Sequence, residues 1–130
     1  MKPKPGVSHG VAELVSDDKR RSVREAKLDS CSVKELFVKS SIDSLGNHFH
    51  RLATETVYIT VGHGVLRTAK VDKNGKIRGK VKCIDLRCDM AVSIPPYFAH
   101  SFELVPGTKL FCVSSPQYDN ADCVPCEIPD

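Results

Sequence analysis

From Thr54 to Val61 the chain alternates without a break: Glu55, Val57, Ile59 and Val61 share one side, and Thr54, Thr56, Tyr58 and Thr60 the other. A period of two matches a strand with one buried face, and it predicts a strand over this segment. Such a strand cannot stand alone, so its neighbours must supply the rest of a sheet. Glu55 meanwhile falls on the apolar, inward side of the strand, where a carboxylate needs a partner.

The flanking sequence meets that demand. After Lys34 the texture is one of short β-branched or aromatic runs broken by Gly, Pro, Asn and Asp, which reads as an all-β domain. Leu36-Phe37-Val38 opens it. Gly62-His63-Gly64 is expected to be a tight turn that brings Val65 to Val71 back as the partner of the Thr54–Val61 strand. Asp72-Lys73-Asn74-Gly75 is the next turn. Ile77 to Leu86, Met90 to Ile94, His100 to Val105 and Leu110 to Val113 follow as strands, with Pro95-Pro96 and Pro106-Gly107 as breaks. Short strands at regular spacing, with no helix between them, point to an antiparallel sandwich or barrel rather than a parallel α/β fold.

The two ends read differently. Residues 1–33 are expected to be a partly irregular N-terminal arm, 34–116 the barrel and 117–130 a C-terminal tail. In the arm, Ser22-Val23-Arg24-Glu25 has a capping-box pattern that would permit one short helix, although only Val23, Ala26 and Leu28 offer it an apolar face. Length argues for one domain, since 130 residues is near the commonest domain size.

Composition narrows the function classes. With 41% hydrophobic and 27% charged residues, and no apolar run near the roughly 20 residues of a membrane span, a soluble protein without membrane association is expected. Met1-Lys2-Pro3-Lys4-Pro5-Gly6 lacks the apolar stretch of a secretory signal, so a cytoplasmic location and six reduced cysteines are expected. A formal charge of +3 is too mild for a nucleic-acid footprint, and the basic cluster Lys19-Arg20-Arg21 follows Asp17-Asp18.

Four residues carry the chemistry. His48 and His50 are two apart, so both imidazoles leave an extended strand from one face and can share an ion. Glu55 points inward among valines and isoleucine, where a divalent cation would offset the cost of ionising it. His100 alternates with Phe102 and Leu104 and therefore also faces the interior. Three imidazoles and one carboxylate suit Fe, Mn, Ni or Zn as a divalent ion without selecting among them, and they leave one or two coordination positions for substrate or oxygen.

Gly46-Asn47-His48-Phe49-His50, with Glu55 and Gly62, resembles the first motif of the cupin family. Pro95-Pro96-Tyr97-Phe98-Ala99-His100 resembles the second, with Phe98 standing where a glycine is usual. The resemblance implies a double-stranded β-helix of jelly-roll type and a metal held by His48, His50, Glu55 and His100. It also implies a homodimer, for which Leu36 to Ser41 could serve as an edge strand open to sheet extension. The segment from Ser114 to Asp122 further resembles the closing segment of cupins in sugar-nucleotide and polysaccharide biosynthesis.

The expectation is thus a metal-binding cupin, leaning toward an enzyme such as an isomerase, epimerase or dioxygenase, acting on a small oxygen-rich molecule of carbohydrate type. Set against it are a metal-free sugar-nucleotide isomerase or epimerase, a non-catalytic binding or sensor module, and, with less support, an Fe(II) dioxygenase. Arg51 and Arg67 are candidates for an anionic substrate at the barrel mouth. His63, in its glycine turn, is expected at the surface. Cys123-Val124-Pro125-Cys126 has the spacing of half a zinc knuckle or of a redox pair, but no second pair accompanies it, and unrelated thiols are the expected reading.

Overall fold

The computed structural model of the chain describes residues 6–40 and 42–129. Eleven strands carry the fold: β1 (Glu13–Asp17), β2 (Arg21–Lys27), β3 (Ser32–Val38), β4 (Ile42–His50), β5 (Thr54–Val61) and β6 (Gly64–Val71), then β7 (Ile77–Leu86), β8 (Ala91–Ile94), β9 (Phe98–Leu104), β10 (Lys109–Ser115) and β11 (Cys123–Pro125). The one helical element among the described residues is a 3-10 turn at Asn120–Asp122. No described helix is long and apolar enough to cross a membrane.

The strands form two antiparallel sheets facing one another. One runs β1-β2-β3-β10-β5-β8 and the other β11-β4-β9-β6-β7. Their inner faces close on a single core, with Val23, Leu36, Val38, Val57, Ile59 and Leu110 from the first sheet against Leu66, Leu86, Phe102 and Leu104 from the second. The expected all-β class and two-layer barrel therefore hold. The alternation in β5 also holds from Glu55 to Ile59, but Val61 is exposed, because the ladder to β10 shifts register between Lys109 and Leu110.

The connectivity differs from expectation at one place. Val65 to Val71 is not the partner of β5: β6 pairs with β7 and β9 in the opposite sheet, while β5 pairs with β10 and β8. Residues 62–63 carry the chain from one sheet to the other. The glycines there serve close approach instead of a hairpin. A Cβ on Gly62 would lie 2.4 Å from Thr108 Oγ1, and one on Gly64 would lie 2.1 Å from the Glu103 carbonyl oxygen. The Asp72–Gly75 turn, in contrast, does make the β6–β7 hairpin, with Asp72 Oδ1 accepting the backbone N–H groups of Asn74 and Lys76.

Regular structure also begins earlier than the sequence texture suggests. Residues 6–12 carry no element, but β1 and β2 pair with each other and β2 pairs with β3. The capping-box segment is strand, not helix: Arg21, Val23 and Glu25 face inward over β3, a period of two that the many charged residues conceal. Residues 1–5, including most of the Pro/Lys opening, lie outside the described residues.

The pairing of β2 also removes the expected edge. Leu36 to Ser41 is not an open edge strand, because β3 is flanked by β2 and β10, and Ser41 lies outside the described residues. At the other end β11 pairs with β4, and Ile128 is buried against Phe49, Val71 and Ala99 on the outer face of the second sheet. That cover is a local necessity: in His48-Phe49-His50 the histidines point inward, so Phe49 must point outward, and it is only 1% exposed.

Candidate metal centre

β4 and β9 set three of the four ligand-type side chains. Their ladder places His48 opposite His100, after a register shift between Gly46 and His48. The shift rests on two left-handed residues, Gly46 (φ 109) and Asn47 (φ 54). Glycine is required at 46, since a Cβ there would lie 2.8 Å from the His100 carbonyl oxygen. Glu55 approaches from β5 in the opposite sheet. One ligand atom from each of His48, His50, Glu55 and His100 lies within 4.8 Å of the others. All four sequence candidates therefore meet in one place.

The outer nitrogens of the rings explain where their lone pairs point. His100 Nδ1 lies 3.0 Å from the Phe98 carbonyl oxygen, which makes it the protonated nitrogen and leaves Nε2 as the lone pair. His50 Nδ1 faces Asp122 Oδ2 at 3.6 Å, and its Nε2 is buried against Glu55 Oε1 without a hydrogen-bond partner. His48 Nε2 and His100 Nε2 stand 3.1 Å apart.

Electrostatics agree with that geometry. Burial, aided by the like charges of His100 and His50, pushes His48 down to about 4, so the ring is neutral at pH 7. Burial alone would raise Glu55, but the facing imidazoles of His100 and His50 outweigh it and hold its carboxyl well below the usual carboxylate range. Glu55 Oε2 also accepts a hydrogen bond from Cys112 Sγ at 3.1 Å, and burial raises that thiol far above its ordinary value. Three imidazole nitrogens and an ionised carboxylate crowd together in this buried site, and a cation among them would satisfy all four. The donor set thus fits a divalent metal ion.

A cavity of about 150 Å³ opens on this cluster, its polar wall made by Arg21, Lys34, His48, Glu55, His100 and Cys112. A second space of about 460 Å³ shares Arg21, Lys34, His48 and Glu55 and adds Glu25 and Tyr118 at the rim. Lys34 is held by Glu25 at 3.6 Å and lies 3.4 Å over the Tyr118 ring.

Arg51 and Arg67 line neither space. Arg51 is exposed on the β4–β5 turn, and the Arg67 guanidinium donates to the Pro129 carbonyl. His63 is exposed, as its turn suggested. The residues not anticipated from sequence are Arg21, Lys34, Cys112 and Asp122. Arg21 and Lys34 sit in charged strands with little apolar patterning. Asp122 lies far along the chain from His50, although it falls within the Ser114–Asp122 segment already singled out.

No family model and no curated protein matches the chain. Solved structures do share its fold. The capsular polysaccharide assembling protein CapF from Staphylococcus aureus superposes with a TM-score of 0.69 at 21% identity, over 91% of this chain and 32% of CapF. The chain thus spans about a third of CapF. The Streptomyces nucleoside dehydratase Pac13 gives 0.68 at 12% identity, over 92% of this chain and 88% of its own. Oxalate decarboxylase from Lactobacillus farciminis gives 0.68 at 13% identity, over 94% of this chain and 36% of its own. The fold is that of the cupins, the double-stranded β-helix.

Proposed function

We propose that this chain is a cytoplasmic metal-dependent cupin enzyme, an isomerase or epimerase in type, acting on a small oxygen-rich molecule of carbohydrate class. The observation that carries the proposal is the convergence of His48, His50, His100 and Glu55 on one point, with the His100 ring backed by the Phe98 carbonyl and the His50 ring by Asp122. The adjoining cavity supports a reacting site over a purely structural one, because a structural metal site is closed.

A divalent ion bound there supplies Lewis-acid polarisation of a substrate oxygen. The protein's residues do the rest. His48, His50, Glu55 and His100 would hold the ion. Val23, Leu36, Leu45 and Phe102 wall the inner cavity with apolar surface and keep bulk water from the reacting end of the substrate. Lys34 and Tyr118, fixed against one another, shape the mouth.

The likeness to a capsular polysaccharide assembling protein and to a nucleoside dehydratase supports a sugar-bearing substrate. We take the protein to work as a homodimer. Sheet extension would then use an outer strand, β1, β8, β7 or β11, in place of β3.

The test is elemental analysis of the purified protein by plasma mass spectrometry, wild type beside His50→Ala and Glu55→Ala. Near-stoichiometric metal that is lost in both variants is the expected result. A folded wild type that takes up none of iron, manganese, nickel or zinc would overturn the proposal and leave a metal-free sugar enzyme or a binding module.

A further inference from the structure

Arg21 is the one basic side chain of the cavity that makes no ion pair or side-chain hydrogen bond with another described residue. Its Nε is buried and has no hydrogen-bond partner. Lys34, the other cation of the cavity, is neutralised by Glu25 across the β2–β3 ladder. Glu55 accepts from Cys112 at Oε2, and its Oε1 is turned to the His50 and His100 rings of the proposed metal cluster. The Asp18 carboxylate accepts the backbone N–H of Arg21 and pairs with the Arg20 side chain; it attracts the Arg21 charge more weakly and makes no ion pair with it.

We infer that Arg21 is an oxyanion-binding residue and that the substrate carries a carboxylate or a phosphate. The inference rests on the proposed enzymatic reading of the same site and narrows its substrate to an anion. A buried guanidinium nitrogen without an acceptor is costly, and a planar fork of N–H groups matches the two oxygens of a carboxylate or phosphate. Arg21 borders both spaces, so an anionic group can meet it while the neighbouring part of the same molecule faces Glu55 and His48. The inner space of about 150 Å³ admits only the reacting end of a small molecule, and the outer space of about 460 Å³ admits its body. Charge points the same way: a divalent ion and Arg21 together exceed the single charge of Glu55, and an anion reduces that excess.

The experiment is calorimetric titration with acetate and with methyl phosphate at low ionic strength, on full-length protein whose metal content is measured in the same sample. Wild type is compared with Arg21→Gln, which removes the charge, and Arg21→Lys, which keeps it. At least one probe is expected to bind wild type, weakening about tenfold or more in Arg21→Gln and much less in Arg21→Lys. Which probe binds decides between carboxylate and phosphate. If Arg21→Gln fails to fold, Arg21→Met, which keeps the apolar stem, carries the same expectation. Neither probe binding wild type, or equal binding to wild type and the uncharged variant, overturns the inference. Metal-loaded wild type that binds no anion would overturn it while leaving the metal reading intact. Arg21-dependent binding to a protein that holds no metal would support it and remove the metal.

Discussion

The Asp122 carboxylate holds the turn that carries His50. Its Oδ1 accepts the N–H groups of Arg51 and Leu52 at 2.9 and 3.0 Å, its Oδ2 accepts that of Ala53 at 3.0 Å, and Oδ2 stands 3.6 Å from His50 Nδ1. One side chain near the C-terminus thus fixes the path between two ligand residues, His50 and Glu55, and orients the ring of the first.

Asp122→Ala is therefore expected to lower metal affinity by about 10- to 100-fold, as loss of an outer-shell partner does elsewhere. Asp122→Asn keeps oxygen acceptance on one side and should fall between. Competition with a chromophoric chelator measures both. Affinity unchanged in Asp122→Ala would show that the turn holds itself.

Gly46→Ala should destabilise the fold by about 1–3 kcal/mol or more, because φ at 46 is 109 and the new Cβ would meet the His100 carbonyl at 2.8 Å. Urea denaturation of the metal-free protein reads this directly. Gly79→Ala is the control: its φ is also positive, at 81, but nothing lies within 4 Å, so its cost should be strain alone.

Thiol reactivity should divide by burial. Cys83 and Cys88 are exposed and should react with a maleimide within minutes in the native protein. Cys112 is buried, donates to Glu55 and keeps its proton far above the ordinary thiol range, so it should react only on unfolding. Mass spectrometry of partly labelled protein counts the classes. Rapid native labelling of Cys112 would mean that the cavity opens far more widely than its walls allow.

Acid should destabilise the metal-free protein, starting above the carboxylate range. His48 takes up a proton near 6.5 when unfolded but only near 4 when folded, so between these values the unfolded state binds more protons and stability falls as pH falls. The loss is on the order of 3–4 kcal/mol once that window is fully crossed. Glu55, held below its ordinary 4.5, adds a further loss beneath that pH in the same direction. Urea midpoints between pH 7 and 4 should slope down in wild type and flatten in His48→Gln.

How much of this was legible beforehand follows from the range over which each signal acts. That His48 and His50 share a face, that Glu55 points inward and that His100 does too are consequences of the two-residue repeat of an extended chain, which a sequence displays directly. The turn at Asp72–Gly75 was legible for a similar reason, since the aspartate bonds its own next few residues. The partner of β5 was not, because alternation states which side chains face the core but not which strand lies alongside. The strands β1 and β2 were hidden by charge: Arg21 and Glu25 face inward yet look like surface residues until the cavity between the sheets is known.

Sequence alone determined the class of fold and the four donor atoms that could share an ion, because both depend on local periodicity and on residue chemistry. Tertiary structure decided the rest: that β5 and β6 belong to opposite sheets, that Asp122 backs His50, and that Arg21 borders the cavity beside Glu55. These are contacts between residues far apart in the chain. They arise from closing two sheets over one core, and no local pattern of residues encodes them.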